Sequence, residues 1–92
     1  MSADAAFIDG SHLFHSVFVA LFYLQMIVRP SGLIILDDYW WPGVATAARY
    51  YETNLGWRPD ALVNSTLGRV RALRVPDLPV APSFRELKPF WP

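Results

Sequence analysis

Two short apolar runs, each stopping abruptly at acidic residues and separated by one helix-length apolar segment, constrain this chain more than any other feature. The first is Ala5-Ala6-Phe7-Ile8, closed by Asp9-Gly10-Ser11-His12; the second is Leu33-Ile34-Ile35-Leu36, closed by Asp37-Asp38-Tyr39. Runs without polar alternation are how strands look in a parallel sheet covered by helices on both faces. Acids at their carboxyl ends fall where open α/β sheets carry their sites. Two parallel strands joined by a helix form a right-handed crossover, so both acidic ends must emerge on the same edge. Asp9, Asp37 and Asp38 are therefore expected to converge on one rim.

The rest of the chain reads as punctuation around that unit. Gly10 permits a tight turn, and Ser11 is expected to cap a helix running to about Val28. Arg29-Pro30-Ser31-Gly32 should stop that helix and turn the chain into the second strand, because proline disfavours helical geometry in the residue before it. After Trp40-Trp41-Pro42-Gly43, the segment Val44 to Leu55 is helical in composition. Arg49 and Glu52 are spaced there for an exposed face, and Asn54 or Gly56 can close the helix. A weak strand at Ala61 to Val63, a turn at Asn64 to Gly68 and a strand at Arg69 to Val75 predict an antiparallel hairpin at the sheet edge. From Pro76 onward, Pro79, Pro82, Pro89 and Pro92 make a largely irregular tail that Phe84, Leu87, Phe90 and Trp91 are available to pin. The expected organisation is a three-layer α/β/α domain over residues 1–75, with the tail of residues 76–92 packing on it.

Composition removes several classes of function. With 53% hydrophobic and 15% aromatic residues the chain is too apolar for a disordered protein, yet at 92 residues its independent stability should be marginal. Eight basic residues balance eight acidic ones, which leaves no global field for nucleic acid or an anionic membrane. The distribution is uneven, because up to Asp38 the single basic residue is Arg29, while Arg49, Arg58, Arg69, Arg71, Arg74, Arg85 and Lys88 all come later. The acidic rim thus has room for a metal ion, unless a folded neighbour supplies the charge. Absence of cysteine excludes a disulfide scaffold, a zinc-thiolate site and a cysteine nucleophile, and points to the cytoplasm. Met1-Ser2-Ala3-Asp4 lacks the basic start of a secretory signal. The apolar run Val17 to Val28, broken by Gln25, is too short to span a bilayer.

Asp4-Ala5-Ala6-Phe7-Ile8-Asp9-Gly10-Ser11-His12, followed by Arg29-Pro30-Ser31-Gly32-Leu33-Ile34-Ile35-Leu36-Asp37-Asp38-Tyr39-Trp40, resembles the carboxyl half of class I S-adenosylmethionine-dependent methyltransferases. The similarity is to the bacterial branch whose fourth strand ends in Ile-Asp-Gly-x-His and whose fifth ends in Asp-Asp, and it covers Ala3 to Tyr51. It implies part of a Rossmann-like sheet and transfer of a methyl group, expected to be to oxygen, onto a small-molecule acceptor. In related metal-dependent O-methyltransferases, the acids ending these two strands hold a divalent cation, positions that here are Asp9, Asp37 and Asp38. Hard oxygen ligands suit Mg²⁺ or a similar ion, which would lower the pKa of the acceptor hydroxyl and orient it. By the same resemblance Asp9, Gly10, Ser11 and His12 are donor-side contacts, and His12 stands where such enzymes keep a base.

Departures from the pattern shape a second expectation. Ala20 stands where the family usually has an acid, and Pro30-Ser31-Gly32 replaces Pro-Gly-Gly. No Gly-x-Gly occurs in these residues, and the glycine-rich loop that would hold the donor is absent. The chain is thus expected to be a truncated methyltransferase, inactive or dependent on an amino-terminal half. Alternatively it is a non-catalytic interaction module that dimerises, or pairs with such a half, through an open strand edge. Each site residue also has a structural reading. Asp9 can serve the dipole of the following helix, Asp37-Asp38 can open a solvated loop, and His12 can be a hydrogen-bonded structural residue. His15 reads as packing or surface. Trp40 and Trp41 can wall a substrate site or bury area against the sheet.

Overall fold

The computed structural model describes residues 3–8, 12–66, 70–78 and 80–90. In chain order the elements are β1 (Ala3–Ile8), α1 (Phe14–Ile27), β2 (Val28–Leu36), α2 (Pro42–Asn54), β3 (Arg58–Pro59), α3 (Ala61–Thr66) and β4 (Arg71–Arg74), with a 3-10 turn at Phe84–Glu86. The strands form one mixed sheet in the order β1-β2-β4-β3. β1 and β2 are parallel, Ala5 lying opposite Leu33 and Ile8 opposite Leu36. The Asp37 N–H donates to the Ile8 carbonyl at 3.0 Å and carries the pairing one residue further. The crossover expected from the two apolar runs is thus present, and both strands end at the same edge.

Three local expectations are corrected. The first helix begins at Phe14 with Leu13 in the capping position and no side-chain cap, because the chain stays extended through Leu13. Ser11, expected to cap it, lies outside the described residues. β2 begins earlier than expected. Ala3 pairs with Val28 and Ala5 with Leu33, so Arg29 to Gly32 form a bulge within the strand instead of a free turn. Ser31 takes the left-handed conformation there, with φ at 63°. A side chain at Gly32 would place its Cβ 2.7 Å from the Arg29 carbonyl oxygen, so the bulge closes only around glycine.

The third correction concerns the second half. Ala61 to Val63, expected as a strand, lies in the helix α3. The Asp60 carboxylate accepts the Val63 N–H at 3.0 Å, an N-cap that outweighs the weak strand tendency of the segment. The Asn64-to-Gly68 hairpin therefore does not form; Leu67, Gly68 and Arg69 lie outside the described residues. β4 instead inserts between β2 and β3, antiparallel to both. The Asn64 side chain stands in for a strand there, accepting the Ala72 N–H at 2.6 Å and donating to the Ala72 carbonyl at 3.3 Å. The later pairing is antiparallel, as expected, but its residues and order differ.

Packing explains which faces are dry. Ile34 and Leu36 of β2 and Leu73 of β4 are fully buried with Val17 and Leu21 of α1 and Val44, Ala47, Ala48 and Tyr51 of α2. Small residues at 47 and 48 let the helices approach, and the Tyr51 hydroxyl donates to the Phe18 carbonyl at 2.7 Å. Burial in this core, and then the neighbouring Tyr50, push the Tyr51 phenol well above its ordinary pKa. The two long helices share one face of the sheet. On the opposite face Phe7 remains exposed and Leu33 and Ile35 half-buried, while Ala72 of β4 is buried beside α3.

The tail is held by a polar clamp that composition does not reveal. Buried Asn54 accepts the Lys88 N–H at 2.7 Å and donates to the Lys88 carbonyl at 3.0 Å. Phe90 packs edge-on to Tyr50, whereas Leu87 is 46% exposed. Trp91 lies outside the described residues. Among the described residues no helix is long and apolar enough to cross a membrane.

Candidate functional site

The carboxyl ends of β1 and β2 carry the polar side chains that the crossover was expected to gather. Asp38 follows β2 in the left-handed conformation, with φ at 53°, which an aspartate tolerates better than most residues. Its N–H donates to the Asp37 carboxylate at 2.9 Å, and its carbonyl accepts the Trp41 N–H at 3.0 Å. This tight turn aims the Asp38 carboxylate at His12, whose Nε2 lies 2.9 Å from Oδ2. Both groups are only partly exposed. The His12 ring also stacks on Trp41, with centroids 4.5 Å apart and planes inclined by 10°.

Close backbone approach makes this arrangement possible. Pro42 begins α2, where its fixed φ fits and its missing N–H is not needed. Gly43 follows and lies against the chain that enters α1. A Cβ there would sit 2.8 Å from the Phe14 nitrogen and closer still to the His12 carbonyl oxygen. Glycine at 43 lets the α2 terminus touch the His12 segment, and Trp41 reaches the imidazole from that terminus.

Chemically, His12 and Asp38 make an oriented imidazole. With Asp38 ionised, Nε2 carries the proton it donates, and the lone pair sits on Nδ1. A carboxylate that fixes tautomer and ring orientation is the usual support of a histidine base.

A cation reaches the same rim from β4. Antiparallel pairing sets Arg71 opposite Leu36, one residue before Asp37. Its guanidinium lies 5.1 Å from the centre of the Tyr39 ring and donates to Glu52 of α2 at 2.8 Å. Burial opposes the Arg71 charge, but the hydrogen bond to Glu52 and the attraction of that carboxylate outweigh it, and the pKa lies above its ordinary value. Arg29, the nearest basic residue in sequence, is instead at the other end of the sheet, where its Nε donates to Asp4 at 2.7 Å.

Of the residues expected at the site, the structure brings His12 and Asp38 together and keeps Asp37 beside them. Asp9, Gly10 and Ser11 lie outside the described residues. Among the described residues no three His, Cys, Asp or Glu side chains come together as a metal cluster. His15 is exposed. Trp41 cradles His12, and Trp40 packs against Trp41 while remaining mostly exposed.

Sequence reasoning missed Gly43 and Arg71. Pro42-Gly43 after two tryptophans was a visible signal of close approach; Arg71 had none, since its place depends on the strand order. Compared with known proteins, the chain matches no family model, no curated protein and no solved structure.

Proposed function

We propose that the chain is the acceptor side of an S-adenosylmethionine-dependent O-methyltransferase in which His12 takes the proton of the acceptor hydroxyl. The observation that carries this reading is the imidazole held between the Asp38 carboxylate and the Trp41 ring, at the shared carboxyl edge of two parallel strands. The resemblance of the two strand-end motifs supports it. Asp38 orients His12 and balances the charge that His12 gains on protonation, while Trp41 restricts the ring to one plane and keeps water from one face. Trp40, against Trp41 at 4.9 Å between ring centres, continues the aromatic surface, against which a small acceptor can lie.

When bound, the donor supplies an electrophilic methyl group, whose carbon–sulfur bond breaks as the new carbon–oxygen bond forms. Gly10 and Ser11, with Asp9 and His12, are the residues offered to it. By their chemistry the carboxylates of Asp9, Asp37 and Asp38 would be the residues to hold a divalent cation such as Mg²⁺, which would lower the pKa of a hydroxyl bound to it.

Titration of ¹⁵N-labelled protein with millimolar S-adenosylmethionine tests the reading. The amides of His12, Asp37, Asp38 and Trp41 should shift together, and in the chain joined to a donor-binding amino-terminal half formation of S-adenosylhomocysteine with hydroxylated acceptors should fall by about 10²–10⁴-fold in His12→Gln, the usual worth of a general base. An unchanged spectrum at saturating donor, or full transfer by His12→Gln, would overturn it.

A further inference from the structure

Helix α1 carries large apolar side chains on its outer face as well as on the face it buries. From Phe14 to Ile27 it contains no Asp, Glu, Lys or Arg. Val17 and Leu21 fill the core on one side. On the other side Val19, Phe22, Tyr23 and Met26 are 49%, 45%, 59% and 61% exposed. Their spacing is i, i+3, i+4 and i+7, so they form one stripe pointing away from the sheet. A helix with one face in water is normally polar on that face. The outer side of α2 obeys this rule, with Arg49 exposed.

We propose that a second copy of this chain covers the stripe, α1 packing antiparallel on its mate about a two-fold axis near Phe22 and Tyr23. Size is sufficient for a specific pair. The four side chains with neighbouring Ile27 leave roughly 500–600 Å² at the surface, and two copies together reach about 1,000 Å² before any rim is counted, where specific interfaces begin.

Chemistry supports self-association over a charged partner. A two-fold axis sets each patch against itself, which is harmless for an uncharged stripe and costly for a charged one. The rings of Phe22 and Tyr23, edge-on at 5.6 Å, make a ridge that the same rows of a second helix can receive. Antiparallel packing also opposes the two helix dipoles favourably.

The open edge of β1 is the poorer route. Asp4 and Arg29 form an exposed ion pair at its amino end, and charges placed on an edge strand discourage pairing with another chain. The dimer rests on α1 alone and does not depend on the catalytic reading.

Because the chain has no cysteine, one introduced thiol reports the contact unambiguously. Phe22→Cys should form a disulfide-linked dimer under mild oxidation, whereas Arg49→Cys on the outer side of α2 should remain largely monomeric. Sedimentation equilibrium of the unmodified chain should give twice the 10.5 kDa monomer mass. The double variant Phe22→Glu/Met26→Glu, which leaves the core untouched, should raise the dissociation constant at least about 100-fold with an unchanged far-ultraviolet spectrum, as expected when the anchors of an interface are lost. Should that variant fail to fold, the cross-linking pair decides the matter. A monomer at high concentration, a dimer unaffected by the two glutamates, or cross-linking through Phe7→Cys but not Phe22→Cys would overturn the proposal.

Discussion

Gly43→Ala tests whether close backbone contact between α2 and the His12 segment holds the site together. The substitution adds one methyl group in the first turn of a helix, where alanine is favoured over glycine by up to about 1 kcal/mol. Propensity alone therefore predicts a more stable protein. The structure predicts the reverse, because the new Cβ would lie 2.8 Å from the Phe14 nitrogen and 3.3 Å from the Leu13 carbonyl carbon, with the His12 carbonyl oxygen nearer still. All three neighbours are backbone atoms, so no side chain can swing aside, and α2 must retreat from the chain before α1.

Contacts under 3 Å with backbone place the cost at the upper end of the usual overpacking range, about 2–3 kcal/mol, which leaves a net loss of roughly 1–2 kcal/mol after the gain in propensity. For a domain of this size that is a fall in Tm of about 4–16 °C, measurable by circular dichroism. The retreat also pulls Trp41 from His12, so the imidazole ¹H and ¹⁵N shifts should move with the stability. An alanine variant as stable as the parent, with unchanged imidazole shifts, would refute the argument.

Asn64→Leu should cost about 1–3 kcal/mol, because the buried Ala72 loses the acceptor for its N–H and β3, which ends at Pro59, does not extend to it; a urea midpoint displaced by less than a quarter of that would count against the role. Tyr51→Phe keeps the ring packing but loses the hydrogen bond to the Phe18 carbonyl, and should lower stability at neutral pH by about 0.5–1.5 kcal/mol. Burial keeps the Tyr51 phenol neutral in the folded state beyond its ordinary 10.0, so its contribution is complete below that pH and is lost as pH rises further. The stability difference between parent and Tyr51→Phe should therefore shrink above about pH 10, and parallel curves would disprove the linkage. Glu86 accepts the Ser83 N–H at 2.8 Å, and that bond, with the Ser83 hydroxyl, holds its carboxyl below the usual 4.5. The Phe84–Glu86 turn should accordingly persist above that value and loosen as the pH falls through the lowered one; a ¹³C titration placing Glu86 at or above 4.5 would contradict it.

What the sequence determined by itself is the crossover from β1 through α1 to β2, and the helix that follows. Apolar runs, a proline at the first helical position and acids at strand ends act over a few residues, so their signal survives without knowledge of distant neighbours. It also placed His12, Asp37 and Asp38 near one edge, since a parallel pair of strands leaves no other choice.

Tertiary structure decided the rest. The carboxylate of Asp38 faces His12 because the left-handed turn at Asp38 and the close approach at Gly43 act together across 26 residues of chain. Arg71 reaches the rim because β4 slips between β2 and β3, an order that no local pattern encodes. Ala61 to Val63 became helix because one carboxylate, that of Asp60, satisfied a free N–H at its start and the Asn64 side chain completed the hydrogen bonding of Ala72 that another strand would otherwise have supplied. Weak local preferences yield wherever a buried donor or acceptor must find a partner, and those partners are assigned only when the whole chain has closed.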